Sequence, residues 1–232
     1  MRLSIVIPAH NEEANIAQVI EKIEEQTKFP FELIVVNDHS VDRTSSIVLD
    51  LAGKYKNINL VENTLEPGFA NAIKTGFSNV KTEVAVPVMG DLCDDLKTIP
   101  LMFEKIKEGY DLVCGARYTK GGDRIGGSAL KGFFSFLVGR TIAFLIKIPT
   151  CDIANAFKMY RKKVIDSIDI ESKGFEISME LPLKAYYLGF KITEVPTVWR
   201  EREKGRSNFN MVNLAPNYWR WYLWAIKRKL RG

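Results

Sequence analysis

The chain has 232 residues, 46% hydrophobic and 26% charged, a composition that excludes intrinsic disorder, collagen and coiled coil and allows one sizeable core or two small ones. Its 33 basic and 28 acidic residues give a net charge of +5, but residues 199–232 alone carry 9 basic and 2 acidic residues. The preceding residues are therefore slightly acidic. A basic end on a near-neutral body favours an anionic partner, either nucleic acid or lipid headgroups.

The cysteines and the N-terminus indicate the compartment. Cys93, Cys114 and Cys151 are odd in number and widely spaced, so the sequence predicts neither a disulfide framework nor a zinc site. The first apolar run ends at Pro8, which makes it too short for a secretory signal. We therefore expect no cleaved signal and a location in the cytoplasm.

Strands and helices alternate in the first half of the chain. Apolar runs of strand length cover residues 4–7, 31–36, 59–61, 84–89 and 111–114. Apolar residues at helical spacing predict helices over residues 15–26, 42–54, 71–78 and 98–107. This order predicts an α/β fold, a mostly parallel sheet with helices on both faces, and ligands of such sheets bind beyond the carboxyl ends of the strands.

The second half contains two segments whose composition is compatible with a membrane surface. Residues 131–148 are the most apolar of the chain, but Gly139 and Arg140 interrupt them, so the sequence predicts a buried or an interfacial helix and no membrane span. A strand over 156–160, a helix over 178–188 and a strand over 191–198 follow. Residues 217–231 then combine three tryptophans with a Lys/Arg cluster, which suits the surface of an anionic membrane. We predict a domain over 1–210 and a basic, aromatic, amphipathic membrane-associating tail over 211–232.

Polar and acidic turns follow the predicted strands. They read PAHNEE over 8–13, NDHSVDRT over 37–44, MGDLCDD over 89–95 and GARYTKGG over 115–122. The chain has no G-x-G-x-x-G after its first strand and no G-x-x-x-x-G-K-[ST], which argues against a Rossmann dinucleotide site and a P-loop. Carboxylates around a phosphate-bearing ligand imply a bridging divalent cation.

These turns, together with R-x-x-G-x-S over 202–207, resemble glycosyltransferase family 2, whose members have the Rossmann-like GT-A fold. The resemblance extends over residues 1–209 and is greatest to the dolichyl- and polyprenyl-phosphate mannosyltransferase and glucosyltransferase branch. It implies a metal-dependent, inverting enzyme that moves a sugar, with mannose or glucose favoured, from a GDP- or UDP-sugar to a polyprenyl or dolichyl phosphate. Two alternatives stay open: a saccharide or protein acceptor, and a catalytically degenerate protein that only binds nucleotide sugars.

The resemblance also implies roles for individual residues. The residues expected at the nucleotide and its diphosphate are Pro8, Ala9, His10, Glu12, Val36, Asp38, Gly90 and Asp91. The residues expected to take part in catalysis are Asp91, Arg117, Asp152 and Arg202. Arg124 and Lys131 join Arg117 and Arg202 as candidates for binding the acceptor phosphate.

Three positions depart from the family pattern. Met89 stands where the D-x-D motif has its first aspartate, and a thioether is a poor ligand for Mg²⁺ or Mn²⁺. Asp91 is therefore the expected metal ligand, alone or with donor phosphates, and Asp94 or Asp95 is the expected second carboxylate. Asn37 and Asn208 replace an aspartate and a lysine. The expected partners are a nucleotide sugar, a lipid phosphate and the cytoplasmic face of a membrane. A separate membrane protein stays open, and nucleic acid is disfavoured by the acidic turns although aromatic and basic residues together suit it.

Overall fold

The computed structural model describes residues 1–202 and 211–231. The strands of this part are Leu3–Ala9 (β1), Phe31–Asn37 (β2), Ile58–Glu62 (β3), Val84–Pro87 (β4), Leu112–Ala116 (β5), Asp123–Ile125 (β6), Lys158–Arg161 (β7), Ile192–Pro196 (β8) and Val198–Arg200 (β9). The helices are Ile16–Gln26 (α1), Thr44–Lys54 (α2), Phe69–Ser78 (α3), Thr98–Lys107 (α4), Ala129–Ile146 (α5), Lys162–Asp166 (α6), Ile177–Tyr187 (α7) and Met211–Arg231 (α8).

Seven of these strands form one sheet in the order β3-β2-β1-β4-β7-β5-β8. Its neighbouring strands are parallel except at β7, which runs antiparallel to β4 and β5. The predicted α/β fold with a mostly parallel sheet is therefore confirmed. The central strands are apolar on both faces because both faces are covered, and all seven residues of β1 are buried.

Helices cover both faces of the sheet. Successive residues of β1 point to opposite faces. Val6 belongs to a buried cluster that includes residues of α3, α5, α7 and α8, whereas Ile5 and Ile7 belong to a second cluster that includes residues of α1 and α4. Both faces thus exclude water, and the polar groups at the carboxyl ends of the strands are left at the open edge of the molecule.

Several predicted bounds differ from the structure for local reasons. The second helix begins at Thr44 and not at residue 42, because the Asp42 carboxylate accepts the N–H groups of Thr44 and Glu13 outside the helix. The strand predicted over 191–198 divides at Thr197, whose hydroxyl bonds that of Thr98. Beyond this point the chain leaves the large sheet and β9 pairs with β6 in a separate two-stranded sheet.

The apolar segment forms a helix, as predicted, and this helix α5 runs unbroken through Gly139 and Arg140. A Cβ at Gly139 would overlap the carbonyl oxygen of Cys151, so the glycine allows a close approach of α5 to that turn and does not end the helix. Within the described residues, α5 is the one helix long and apolar enough to cross a membrane, judged by length and composition.

The C-terminal helix α8 packs against the domain. Trp221 and Ala225 are buried with residues of α5 and α7, and the Trp221 indole N–H donates to the Ser172 hydroxyl at 3.0 Å. Trp219 on another side of the helix is 56% exposed. The division into a domain over 1–210 and a tail over 211–232 stays a prediction, and its boundary lies outside the described residues.

Candidate active site

A cleft of about 1520 Å³ opens at the carboxyl ends of the strands. One end is polar and is lined by the turns after β1, β2 and β4, and the other end is lined by α5 and α8. The polar residues include His10, Glu12, Asp38, Asp91, Asp94, Arg117, Arg124, Lys131 and Arg202. The apolar residues include Phe134, Leu137, Val138, Leu214, Trp219 and Tyr222. The fold therefore brings most of the predicted site residues together.

The turn after β1 is fixed by bonds to the turn after β2. Asn11 has a left-handed backbone (φ 54°), a conformation that asparagine adopts more readily than most residues. Its side-chain oxygen accepts the N–H of Val41 at 2.9 Å, and its own N–H donates to the Ser40 hydroxyl. The backbone of Pro8, Ala9 and His10 is thereby presented to the cleft.

Asp38 joins three loops below this turn. Its carboxylate accepts the Asn63 side-chain amide at 2.7 Å and the backbone N–H of Gly68 at 2.9 Å, and the residue is only 5% exposed. Asn37 beside it donates to Glu62 at 2.7 Å and accepts the N–H of Ser40. Because Asn37 can donate through its amide, the change from aspartate gives this turn a bond to Glu62 that a carboxylate could not make.

Arg202 links the first turn to the acidic turn after β4. Its Nη2 lies 2.6 Å from Asp91 Oδ2, and its Nη1 lies 3.7 Å from Glu12 Oε1. The other Asp91 oxygen accepts the N–H of Cys93 at 3.1 Å. Burial raises the pKa of Glu12, against the lowering effect of Asn15 and Arg202. Arg202 thus pairs with carboxylates of both turns.

Asp94 enters the cleft and does not begin the following helix, which starts at Thr98. Its Oδ2 accepts the backbone N–H of Met89 at 3.1 Å, so a carboxylate lies at the backbone of the residue that replaces the first aspartate of D-x-D. Burial and the neighbouring Asp91 raise the pKa of Asp94 to about 7. A cation bound beside the two carboxylates would oppose both effects and lower this pKa.

The acidic turn fits a divalent cation that is completed by its ligand. Among the described residues no group of three His, Cys, Asp or Glu side chains could hold a metal ion by itself. Mg²⁺ commonly takes one or two carboxylates and fills its other positions with water and substrate phosphates. Asp91 and Asp94 supply the two carboxylates, so the donor set suits a metal that binds together with a diphosphate.

Arg117 is held by Asp152 in a buried ion pair. Its Nε and Nη2 each lie 2.7 Å from an Asp152 oxygen, and Nη2 also donates to the Ser135 hydroxyl of α5. Asp152 is fully buried. Its charge raises the pKa of Arg117, overcoming the opposing effect of burial. This pair therefore fixes the position of the turn after β5 against α5.

The remaining predicted residues lie away from the cleft or outside the described residues. Val36 is fully buried within the sheet, and a Cβ at Gly90 would contact Glu12 and Pro8. Gly205, Ser207 and Asn208 lie outside the described residues. The catalytic, nucleotide-binding and metal-binding roles given to all these positions stay predictions.

Sequence reasoning missed several residues of this region. Phe69 and Phe175 stack at 4.6 Å between ring centroids and line the cleft, although they are 106 positions apart in the chain. Lys158 is fully buried, and its ammonium group donates to the carbonyl oxygens of Ile153, Asn155 and Ser178. Burial lowers the pKa of Lys158 to about 8. A lysine in a strand carries no local signal of such a role, because its acceptors belong to a loop and to α7.

The chain is similar to characterised sugar transferases. It is 31% identical over 211 residues to the dolichol-phosphate mannosyltransferase of Pyrococcus furiosus. This match covers 89% of this chain and 59% of that protein. It is 25% identical to the polyprenol monophosphomannose synthase of Mycolicibacterium smegmatis, over 99% of this chain and 89% of that protein. The chain thus spans less than two thirds of the Pyrococcus protein and most of the mycobacterial one.

A solved structure confirms the fold. The glucosyl-3-phosphoglycerate synthase of Mycobacterium tuberculosis, in complex with Mn²⁺, UDP and glucosyl-3-phosphoglycerate, superposes with a TM-score of 0.74 at 20% identity. The match covers 97% of this chain and 80% of that one.

Residues 4–169 also match the sequence family described as glycosyl transferase family 2. That match includes β1 to β7 and the turns that line the polar end of the cleft, and the chain belongs to glycosyl transferase family 2.

Proposed function

We propose that this protein transfers a sugar, mannose or glucose, from a nucleotide sugar to the phosphate of a polyprenyl or dolichyl phosphate, with inversion at the anomeric carbon. The observation that carries the proposal is the single cleft that joins a polar, carboxylate-rich end to an apolar end. The two relatives described above are named for transfer of mannose to such lipids or for synthesis of the product. The aliphatic and aromatic lining of the apolar end suits a lipid chain better than a saccharide.

The nucleotide sugar binds at the polar end of the cleft. The backbone of Pro8 and Ala9 and the side chains of His10 and Glu12 face the base and ribose, and carboxylates there can accept hydrogen bonds from hydroxyl and ring N–H groups. Asp38 lies below them with both oxygens already in use by Asn63 and Gly68. We therefore assign to Asp38 a structural role, in which it fixes the loops that contain Asn63 and Gly68, in addition to any contact with ribose.

Asp91 and Asp94 would hold Mg²⁺ or Mn²⁺ together with the donor's diphosphate. The bound cation would stabilise the negative charge of the departing nucleoside diphosphate. Arg202 lies at Asp91 and adds positive charge on the same side. Because two carboxylates suffice for a cation that also binds phosphates, the methionine at position 89 is compatible with activity.

The acceptor needs no general base from the protein. The oxygens of a phosphate monoester are already ionised near neutral pH. The contribution of the protein is therefore to hold this phosphate in line with the anomeric carbon and to keep water away. Arg117, fixed by Asp152 and Ser135, connects the turn after β5 with α5, along which the lipid chain would lie.

The same surfaces favour attachment to the cytoplasmic face of a membrane. Gly139, Ile142 and Ile146 of α5 are buried against the domain, so protein and not lipid covers one side of this helix. The opposite side exposes the apolar face of α5, which consists of Leu130, Phe133, Phe134, Phe136, Leu137, Phe144 and Leu145. A helix that packs on the domain through these residues suits the membrane surface better than a span. The exposed basic residues at the end of α8 supply attraction to anionic lipids.

A transfer assay with the purified full chain tests the function. Undecaprenyl phosphate is offered with GDP-mannose or UDP-glucose, in Mn²⁺ or in EDTA. We expect one of these donors to yield a lipid-linked sugar with the inverted anomeric configuration, and only in the presence of metal. Asp91→Asn should lower the rate by roughly 100-fold or more, because the diphosphate would lose charge stabilisation worth several kcal/mol.

Asp95→Asn is the matched control, since Asp95 bonds the N–H of Lys97 outside the cleft. It should transfer at the rate of the unaltered chain. Folded protein that binds a nucleotide sugar but transfers it to no acceptor would support the degenerate binding protein instead. Transfer to a saccharide and not to the lipid phosphate would support the other alternative.

A further inference from the structure

Arg124 in β6 is held in a slot between an aromatic ring and two glycines. Its guanidinium carbon lies 5.0 Å from the centroid of the Trp199 ring, and the two residues pair across β6 and β9. A Cβ on Gly127 would overlap Nη2, and a Cβ on Gly132 would lie 2.9 Å from Nη1. The absence of side chains at both glycines therefore leaves the space that the guanidinium occupies.

Arg124 differs from Arg117 and Arg202, the two other arginines of the cleft, in the partners of its charge. Arg117 pairs with Asp152, and Arg202 pairs with Asp91. In residues 1–202 and 211–231, Arg124 makes no ion pair, and the Glu201 carboxylate accepts the N–H of Gly127 at 2.9 Å. Stacking on an aromatic ring uses the face of a guanidinium and leaves its N–H edge suited to an anion.

The slot lies beside the acidic turn. The backbone of Trp199 forms a bridge with Asp94, and the N–H of Arg200 donates to the Cys93 carbonyl at 2.9 Å. One edge of β9 thus contacts the turn expected to hold the metal, and its other edge holds β6 and Arg124. Arg124 and Asp94 line the same cleft, and Ser128 at the N-terminus of α5 lines it beside them.

We propose that Arg124 binds the phosphate of the acceptor, and that Trp199, Gly127 and Gly132 are positioning residues that orient its guanidinium. This inference rests on the proposed function and adds the residue that selects a phosphorylated acceptor. A planar guanidinium can bond two oxygens of one phosphate at once. The donor's diphosphate is the other source of phosphate in this cleft, so the test measures both substrates.

The test compares initial rates over a range of undecaprenyl phosphate at saturating donor, and over a range of donor at saturating acceptor. Arg124→Gln should raise the KM for undecaprenyl phosphate by roughly 10- to 100-fold, the effect of losing hydrogen bonds to a charged group, and leave the KM for the donor unchanged. Gly132→Ala should act in the same direction, although alanine is the better helix former, because its methyl group enters the slot.

Two further variants separate the slot from general packing. Trp199→Phe keeps an aromatic face and should retain most of the affinity for the acceptor, whereas Trp199→Leu should not. Gly53→Ala is the matched control for Gly132→Ala, since Gly53 also lies in a helix and a Cβ there would meet open space. It should change neither KM.

An unchanged acceptor KM in Arg124→Gln would overturn the inference and leave the proposed function standing. A raised donor KM with an unchanged acceptor KM would assign Arg124 to the donor's phosphates and equally overturn it. If the unaltered chain transfers no sugar to undecaprenyl phosphate with any donor, the proposed function fails and this inference fails with it.

Discussion

Single residues of this cleft owe their position to partners that are distant in sequence. Arg117 and Asp152 form a buried bidentate pair in which the aspartate side chain is 0% and the arginine side chain 11% exposed. A buried charge that loses its partner is far more costly than a pair absent from the start. The stability of the turn after β5 therefore depends on both charges together.

Asp152→Asn should lower the free energy of unfolding by about 3–5 kcal/mol, because it leaves the Arg117 charge buried without a counter-charge. Urea unfolding followed by circular dichroism measures the change. The exposed pair of Arg43 and Glu13, with side chains 81% and 42% exposed, provides the control. Glu13→Gln should cost less than about 1 kcal/mol. Equal losses of unfolding free energy in the two variants would show that the buried pair contributes no more to stability than the exposed pair.

The sequence was sufficient to locate the turns of the site but not the bonds between them. PAHNEE, NDHSVDRT and MGDLCDD follow apolar strands, and the rule that strand ends share one edge of the sheet brings them together. The bond of Arg202 to Asp91 joins residues 111 positions apart. The bond of Asp38 to Gly68 likewise depends on how α3 packs. Such partners follow from the folded backbone and have no periodic signal.

At the scale of whole elements, the strands and helices of the first half were predictable because the apolar residues that each one buries recur at regular spacing in the sequence. The antiparallel course of β7 was not, since a short apolar run is the same in either direction. The reason for a glycine in the middle of α5 was not predictable either. Glycine weakens a helix by about 1 kcal/mol, but Gly139 compensates through close packing on Cys151, which only the folded structure reveals.

The helix α8 allows a prediction that separates core from surface. Trp221→Ala should destabilise the protein by about 3–5 kcal/mol, because the indole is 1% exposed and its N–H bonds Ser172. Trp219→Ala, at a ring that is 56% exposed, should change stability by less than about 0.5 kcal/mol. Thermal unfolding of both variants makes the comparison. No loss of stability in Trp221→Ala would mean that α8 is a detachable tail.

At the scale of the whole molecule, charge and apolar surface are concentrated on the same elements. The apolar face of α5 lies on a helix that packs against α8, and α8 ends in exposed Lys227, Arg228, Lys229 and Arg231. Exposed apolar patches of this kind mark interaction surfaces. The same two helices contribute to the lining of the cleft, so a lipid whose phosphate is in the cleft could keep its chain in the membrane.

Sedimentation with vesicles tests this arrangement. The protein should bind vesicles that contain anionic lipid, and binding should weaken as salt rises, because basic residues near an anionic surface are screened within about 10 Å at 0.1 M salt. Phe144→Glu, at a side chain that is 83% exposed, should lower the bound fraction without altering the melting temperature, since it places a negative charge on the apolar face of α5. Leu49→Glu on α2, a residue 59% exposed that lies on a helix packed against α1 and β3, is the control and should bind like the unaltered chain. Equal loss in both variants would show that added negative charge anywhere weakens binding, whereas a loss confined to Phe144→Glu would assign the membrane contact to α5 and orient the cleft toward the lipid.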